Sequence, residues 1–217
     1  MKKRLLIVGG HGSGEIAMSV FQEMNAVTQE WEILGFLNDI RKLGEYLGKY
    51  PVLGSSEEVK DFVDKGYYIH YTLHLNAKNK EERIRHFESY KIPLEANATG
   101  IHPRSYLDPS TETGYGVLIC ANVCTSFGVK IGNYIHCYTN SFLGHDTIVG
   151  DYSTVAAHSV IGARNRIGKG AHIGLNSTTR EEVTIGEYVI VGMAAVVLND
   201  VPDRELVVGN PGHLLRK

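Results

Sequence analysis

Residues 143–196 read LGHDTI VGDYST VAAHSV IGARNR IGKGAH IGLNST TREEVT IGEYVI VGMAAV, which are nine consecutive blocks of six residues. Leu, Ile or Val opens eight of the nine blocks, and Gly follows it in seven. The same register extends from Ile101 to Val197 without a slip, and thirteen of its seventeen marked positions are Ile, Leu or Val. A fixed short period of this kind is interpreted before any local pattern, because it defines the architecture of the whole region.

A six-residue period matches neither a helical turn nor the alternation of a simple strand. It predicts a parallel β-helix in which three short strands make one coil and each aliphatic side chain stacks on the one a coil below. We expect the Gly that follows each aliphatic residue to lie at a corner of the coil, where a residue without a side chain relieves backbone strain. Seventeen hexads correspond to between five and six coils.

The first hundred residues lack this period, and strands alternate there with helices. The predicted strands are Leu5–Val8, Trp31–Leu37 and Tyr67–Leu75, and the predicted helices are Glu15–Glu23, Ser56–Lys65 and Lys78–Tyr90. This βαβαβα order predicts a small Rossmann-like domain with a parallel sheet and right-handed crossovers. The fold class is therefore α/β plus all-β, with the sheet domain at residues 1–98 and the β-helix with its C-terminal tail at residues 99–217.

A glycine-rich turn, Gly9-Gly10-His11-Gly12-Ser13-Gly14, joins the first predicted strand to the first predicted helix. Such a turn at a helix N-terminus favours phosphate binding, and Asp39 ends the second strand, where an acid often meets a ribose or a base edge. The turn is not GxGxxG, and the domain is about half the length of a dinucleotide-binding fold. We therefore predict a mononucleotide or nucleotide-diphosphate site; a tight turn that binds nothing is the open alternative.

Composition excludes several classes of function. With 22 basic and 24 acidic residues in 217, the net charge is −2, so we expect no nucleic-acid partner and no membrane-binding basic patch. The apolar run after the basic start is too short for a signal peptide or a membrane span. Cys120, Cys124 and Cys137 are an odd number without CxxC spacing, so we expect reduced packing residues in a cytoplasmic protein.

Three further motifs carry a family resemblance. They are Ile101-His102-Pro103, Gly144-His145-Asp146 and, near the end, Val207-Val208-Gly209-Asn210-Pro211. Together with the hexads and the leading sheet domain, they make the whole chain resemble the sugar acetyltransferases of the PglD/NeuD type, in the left-handed β-helix hexapeptide-repeat family. The left hand comes from the resemblance, because spacing alone does not determine it.

The resemblance implies acetyl-CoA-dependent N-acetylation of a nucleotide-diphosphate amino sugar for bacterial glycans, and the family's preference implies a 4-amino-4,6-dideoxyhexose. It also implies a homotrimer whose active sites lie between two subunits. It makes His145 the general base, with Asp146 as its acidic neighbour. It gives substrate-binding roles to His11, Gly12, Ser13, Asn38 and Asp39, and acetyl-CoA-binding roles to Thr154, Leu175 and Met193.

The proposed chemistry suits these residue types. An amine must lose a proton as it attacks a thioester, and a positioned imidazole is the usual base. No Cys or Ser lies in a recognisable nucleophile motif, so we expect direct transfer without a covalent enzyme intermediate. The chain departs from the family at Thr154, where a His is common, and at Leu73-His74-Leu75-Asn76, where a Gly-containing turn is usual.

Other functions stay open at this stage. An O-acetyltransferase acting on a sialic-acid-type hydroxyl would need the same fold and base, and the sequence does not choose among UDP, dTDP and GDP. A γ-carbonic-anhydrase-like metalloenzyme is disfavoured, because no His is followed by another His five residues later; we expect no metal site. A non-catalytic trimeric scaffold is the remaining alternative, and the roles of His136, His158 and His172 are not assigned.

Overall fold

A computed structural model describes residues 2–75 and 79–215, and for His74 it describes the backbone alone. The chain divides into two compact units, Met1–Pro103 and Arg104–Lys217. The domain boundary predicted after residue 98 stays a prediction. No described helix has both the length and the apolar character that a membrane crossing requires.

The first unit contains a five-stranded sheet flanked by helices. Its strand order is β3-β4-β2-β1-β5, and β1 lies between its parallel neighbours β2 and β5. The strands are β1 (Lys3–Val8), β2 (Trp31–Leu37), β3 (Tyr46–Leu47), β4 (Tyr50–Gly54) and β5 (Tyr68–Tyr71), and β6 (Gly100–Ile101) follows near the end of the unit. Leu5 to Val8 are fully buried, as expected for an internal strand with parallel neighbours on both sides.

One segment of this unit, to which the sequence analysis assigned neither a helix nor a strand, is a hairpin. β3 and β4 are antiparallel, and β4 pairs parallel to β2, so the sheet is mixed rather than all parallel. Gly48, with φ 57°, lies in the two-residue turn between the strands, and Pro51 lies in β4. Pro is tolerated there because β4 pairs on one side with only the short edge strand β3.

The helices differ from their predicted bounds. The helix α1 (Ser13–Thr28) is longer at both ends than predicted, α2 is Val59–Asp64 after a 3-10 turn at Ser56–Glu58, and α3 is Lys80–Ser89. The predicted start of α3 at Lys78 lies outside the described residues. The predicted third strand ends at Tyr71, because Leu73–Leu75 form a 3-10 turn instead of continuing the strand.

His70 is a fully buried side chain on β5. Its Nδ1 lies 2.9 Å from the Ala98 carbonyl oxygen, and its ring meets Phe21 edge-on at 5.2 Å between centroids. Burial lowers the pKa of His70 to about 4, an effect that the Ala98 hydrogen bond opposes. His70 is therefore a neutral core residue of the first unit.

This burial predicts a pH dependence of stability. Between about pH 4 and 6.5 the unfolded chain binds a proton at this position and the folded chain does not. The free energy of unfolding therefore rises with pH across this window, by up to about 3 kcal/mol. Urea unfolding at several pH values should show this slope, and His70→Phe should flatten it. The exposed His213 provides the control: His213→Gln should keep the slope, and an unchanged slope in His70→Phe would contradict the assignment.

The second unit is the predicted three-faced β-helix. Strands on each face pair in parallel with the strand eighteen residues later, as in His136–Thr154–His172–Ile190. The first face holds β7 (Glu112–Thr113), β10 (Lys130–Ile131), β13 (Ile148–Val149), β16 (Arg166–Ile167) and β19 (Thr184–Ile185). The second face holds β8 (Leu118–Ile119), β11 (His136–Cys137), β14 (Thr154–Val155), β17 (His172–Ile173), β20 (Ile190–Val191), β22 (Leu206–Val208) and the antiparallel β23 (His213–Leu214). The third face holds β9 (Cys124–Thr125), β12 (Phe142–Leu143), β15 (Val160–Ile161), β18 (Thr178–Thr179) and β21 (Val196–Val197).

The core of this unit is made mainly by the second residue of the strands; Thr113 of β7 and Leu214 of β23 are exposed exceptions. Leu143, Val155, Ile161 and Ile173 are fully buried, and Ile167 is 3 % exposed. Thr125 and Thr179 also point inward, and each hydroxyl oxygen accepts a backbone N–H, from Asp108 and Gly162 respectively. A Thr in the column is therefore accommodated without a break in the coil.

The explanation predicted for the hexad glycines is wrong. The left-handed corner residue is two positions later, and it is mostly not Gly: Asp146, Arg164 and Ala194 have φ of 58°, 57° and 57°. The hexad glycines are needed because the next coil is close. A Cβ at Gly162 would lie 2.7 Å from the Arg180 carbonyl carbon, and one at Gly168 2.6 Å from the Glu187 nitrogen.

Candidate functional site

His145 and Asp146 form the turn between the third and first faces of the β-helix. Nδ1 of His145 lies 2.8 Å from Oδ2 of Asp146, and the two side chains are 44 % and 54 % exposed. The Asp146 backbone is held because its N–H donates to the Phe127 carbonyl, one coil earlier. The predicted base and its acidic neighbour are thus paired at an accessible corner of the unit.

Arg164 also contacts His145 at this corner, and the sequence prediction did not name it. Its Nη1 lies 3.3 Å from Nε2 of His145. Its Nε donates to Glu182 at 2.8 Å and its Nη2 to Glu181 at 3.1 Å. The hydrogen bond to Glu182, with the charges of both glutamates, holds the pKa of Arg164 above its ordinary value. The sequence feature that could have identified Arg164 was the eighteen-residue coil, which stacks Asp146, Arg164 and Glu182 in one column.

The corner is braced from inside the coil. The Thr147 hydroxyl donates to the Gly162 carbonyl at 3.0 Å. The Asn165 side chain, fully buried, donates to the Arg180 carbonyl at 3.0 Å and accepts the Val183 N–H at 3.1 Å. Asn165 occupies a hexad position that elsewhere carries Ser, Thr, Ala, Val or, once, Ile. These bonds fix the backbone on both sides of Ala163–Arg164, so the side chains of the corner project from a rigid support.

The residues predicted to bind acetyl-CoA lie elsewhere on the same unit. Leu175 and Met193 occupy the corner between the second and third faces, one coil apart, and are 45 % and 73 % exposed. Thr154 lies on the second face between His136 and His172, and is only 2 % exposed. The third face therefore separates Leu175 and Met193 from His145 within one chain.

The remaining histidines of this unit do not join the His145 corner. His136 is fully buried and His172 partly buried on the second face. His158 turns the corner between the second and third faces, with Nε2 3.3 Å from the Asn140 side chain. Cys120 and Cys137 are buried free thiols, and burial raises the pKa of Cys120 to about 12, which makes it a poor nucleophile at neutral pH.

The glycine-rich turn of the first unit contains an acid that the sequence prediction overlooked. Oε2 of Glu15, in the first turn of α1, accepts the Gly12 N–H at 3.2 Å and lies 2.9 Å from Nδ1 of His11. The Ser13 hydroxyl lies 3.4 Å from that of Thr72. A carboxylate at a helix N-terminus is itself a favourable partner of the helix dipole, so Glu15 occupies two groups that the prediction offered to a phosphate.

Asn38 and Asp39 hold the neighbouring loops. Nδ2 of Asn38 donates to the Gly9 carbonyl at 3.0 Å, and its Oδ1 accepts the Arg41 N–H at 2.7 Å. Gly10 permits this contact, since a Cβ there would lie 2.2 Å from the Asn38 amide nitrogen. Asp39 accepts the N–H and the hydroxyl of Ser56, at 2.7 and 2.8 Å. Both side chains thus have structural partners at the carboxyl end of β2.

Of the predicted substrate-binding residues, all but Gly12 line one cleft. It has a volume of about 320 Å³ and is lined by Gly10, His11, Ser13, Asn38, Asp39, Ile40, Thr72, Leu73, Leu75 and Arg83. A neighbouring cleft of about 360 Å³ shares Asp39, Leu73 and Arg83 and is otherwise lined by Ser56, Glu57, Tyr71, Asn79, Glu82 and His86. Arg83 therefore brings a fixed positive charge to both clefts, at the carboxyl ends of the strands where ligands of such sheets bind.

Among the described residues, no three His, Cys, Asp or Glu side chains are grouped as a metal site would require. The His145 corner offers an imidazole in direct contact with a carboxylate. This arrangement can accept and return a proton, which is what amine acylation requires of a base.

Two solved acetyltransferase structures superpose on nearly the whole chain. The acetyltransferase domain of PglB from Neisseria gonorrhoeae FA1090, in complex with acetyl coenzyme A, superposes with a TM-score of 0.84 and 22 % identity, covering 99 % of this chain and 100 % of that one. The chain has the fold of the hexapeptide-repeat sugar acetyltransferases. PerB from Caulobacter crescentus, in complex with CoA and GDP-perosamine, gives a TM-score of 0.83 and 22 % identity over 98 % of this chain and 97 % of that one.

The predicted fold class, a Rossmann-like unit followed by a left-handed β-helix, is confirmed by these structures. In sequence, the chain is 30 % identical over 145 residues to the GDP-perosamine N-acetyltransferase of Escherichia coli O157:H7. The match covers 67 % of this chain and 58 % of that protein. No protein-family model matches the chain.

Proposed function

We propose that the protein is an acetyl-CoA-dependent N-acetyltransferase that acts on a nucleotide-diphosphate-linked amino sugar in bacterial glycan biosynthesis. The pairing of His145 with Asp146 at an exposed β-helix corner carries this proposal. The curated relative, named for GDP-perosamine N-acetylation, and the structures with bound CoA or acetyl-CoA support the same reaction class. We further propose a 4-amino-4,6-dideoxyhexose as the acceptor sugar, as the family resemblance implies.

In the proposed reaction, His145 is the general base. The sugar amine attacks the thioester carbonyl carbon while Nε2 of His145 accepts a proton from the amine nitrogen. The C–S bond breaks as the amide forms, and the proton passes from the imidazolium to the leaving CoA sulfur. Asp146 stabilises the imidazolium through Nδ1, and no covalent bond to the enzyme forms at any stage.

The cleft of the first unit is proposed to hold the nucleotide diphosphate. His11, Gly12, Ser13 and the start of α1 present N–H groups and a partial positive charge, and Arg83 adds a full one. A phosphate entering this turn takes over the contacts that Glu15 now makes with Gly12 and His11. Asn38 and Asp39 are proposed to contact the nucleoside from the same cleft.

A homotrimer is proposed from the unequal faces of the β-helix. Three of the five outward positions of the first face are charged, and Glu112 and Lys130 are paired at 3.1 Å. The outward positions of the third face carry no charge and are apolar except for Thr178, and Phe142 and Val160 are 37 % and 43 % exposed. Packing third faces around a three-fold axis would bury this surface through heterologous contacts. A single-chain mass in analytical ultracentrifugation would contradict the trimer.

The trimer also accounts for the separated site residues. His145 borders one edge of the third face, and Leu175 and Met193 border the other. A heterologous contact joins unlike edges of neighbouring copies. We propose that acetyl-CoA lies between Leu175 and Met193 of one subunit and the His145 corner of the next, with Thr154 as the remaining proposed cofactor contact.

A thiol-release assay tests the reaction. Purified protein with acetyl-CoA should release free CoA when given a GDP-, UDP- or dTDP-linked 4-amino sugar, and the panel identifies the nucleotide. The matched 4-hydroxy sugar nucleotides should release none. Release with none of the amino sugars would rule out the proposed activity, and faster release with a sialic acid would establish the O-acetyltransferase alternative.

A further inference from the structure

The guanidinium of Arg164 determines which atom donates and which accepts in its contact with His145. Arginine carries only N–H donors, so the Nη1 of Arg164 at 3.3 Å requires Nε2 of His145 to act as the acceptor. In a neutral imidazole the other nitrogen then carries the hydrogen. Nδ1 is therefore the donor to Oδ2 of Asp146, at 2.8 Å.

We propose that Arg164 is a positioning residue for His145, holding the imidazole in the tautomer that carries its lone pair at Nε2. The two neighbours act on opposite sides of the ring. Asp146 attracts the hydrogen at Nδ1, and Arg164 occupies the lone pair at Nε2. The nitrogen that must accept the amine proton is thus prepared before the substrate arrives.

Arg164 is itself held on the ring side of the corner. Its backbone N–H donates to the His145 carbonyl at 2.8 Å, so the two residues are joined through the main chain as well. Glu181 and Glu182, one coil further, take the other guanidinium nitrogens. These glutamates leave Nη1 as the group that faces the imidazole, and they hold the guanidinium beside the ring when an amine replaces Nη1 at Nε2.

The tautomer can be measured without substrate. Long-range ¹H–¹⁵N correlation spectra of the whole protein distinguish the Nδ1–H and Nε2–H forms of a neutral histidine, and His145→Gln identifies the signal. We expect the Nδ1–H form in the native protein and a shift toward Nε2–H in Arg164→Gln. Arg166 lies two residues away on the exposed first face, and Arg166→Gln should leave the signal unchanged. An unchanged tautomer in Arg164→Gln would overturn the proposal.

The kinetic consequence rests on the proposed function. Loss of a residue that orients a catalytic group is expected to lower kcat about tenfold with little change in KM. Arg164→Lys should recover part of the loss, because an ammonium still donates to Nε2 but cannot also bind both glutamates. A full kcat in Arg164→Gln would refute the positioning role. If His145→Gln kept full activity while the tautomer still responded to Arg164, the proposed base would fail and the Arg164 contact would stand.

Discussion

Replacing His145 with Gln is expected to lower kcat about 10²–10⁴-fold in the thiol-release assay, with KM for both substrates nearly unchanged. Gln keeps a polar side chain at the corner but has no group that can accept the amine proton at neutral pH. The loss should fall on kcat because proton transfer belongs to the transition state and not to ground-state binding. The side chain is 44 % exposed, so the variant should fold normally.

His213 provides the control for this variant. It is an exposed histidine of the same unit, on β23, and has no assigned role in the proposed reaction. His213→Gln should keep kcat within about threefold of the native value, as expected for a surface substitution away from the chemistry. Turnover retained within a few-fold in His145→Gln would remove the proposed base and favour the scaffold alternative.

Ile167→Ala is expected to lower the free energy of unfolding by about 2–5 kcal/mol. Ile167 is 3 % exposed and stacks between Val149 and Ile185 on neighbouring coils. Truncation leaves a cavity that the coils cannot close, because Gly168 already lets the next coil approach until a Cβ would meet it at 2.6 Å. Urea denaturation at one fixed protein concentration measures the change.

The neighbouring Arg166 separates the core effect from a general effect on the strand. Its side chain is exposed on the same two-residue strand, so Arg166→Ala should change stability by no more than about 0.5 kcal/mol. Equal losses in the two variants would show that the hexad aliphatic position does not carry the core of this unit.

The β-helix was predictable because its information is repeated. Each coil needs an apolar residue at the same three places, so an error at one hexad does not change the register, and Thr125 and Thr179 fit the column without a break. The first unit has no such repetition. The hairpin β3–β4 was missed because Gly48 and Pro51 have the composition of a loop, and only pairing with β2 makes that segment a strand.

In the two candidate sites as well, the sequence predicted some features and only the fold revealed the others. Sequence motifs were enough to name His145, Asp146, His11 and Ser13, because the pattern of each is local. Glu15 was overlooked because an acid near a helix start reads as an ordinary capping residue, and its contact with His11 depends on the shape of the turn. Asn38 and Asp39 were offered to a ligand, and their partners Gly9 and Ser56 could not be known before the loops were placed.

The sequence by itself determined the period, the inward column of aliphatic residues and the residue types available for proton transfer, since all three follow from neighbours along the chain. Only the tertiary structure decided why Gly follows each aliphatic residue, that Arg164 meets Nε2 of His145, and that Leu175 and Met193 lie on a different corner. The physical reason is that these features depend on contacts between coils, where a difference of one residue in register changes which side chains can touch.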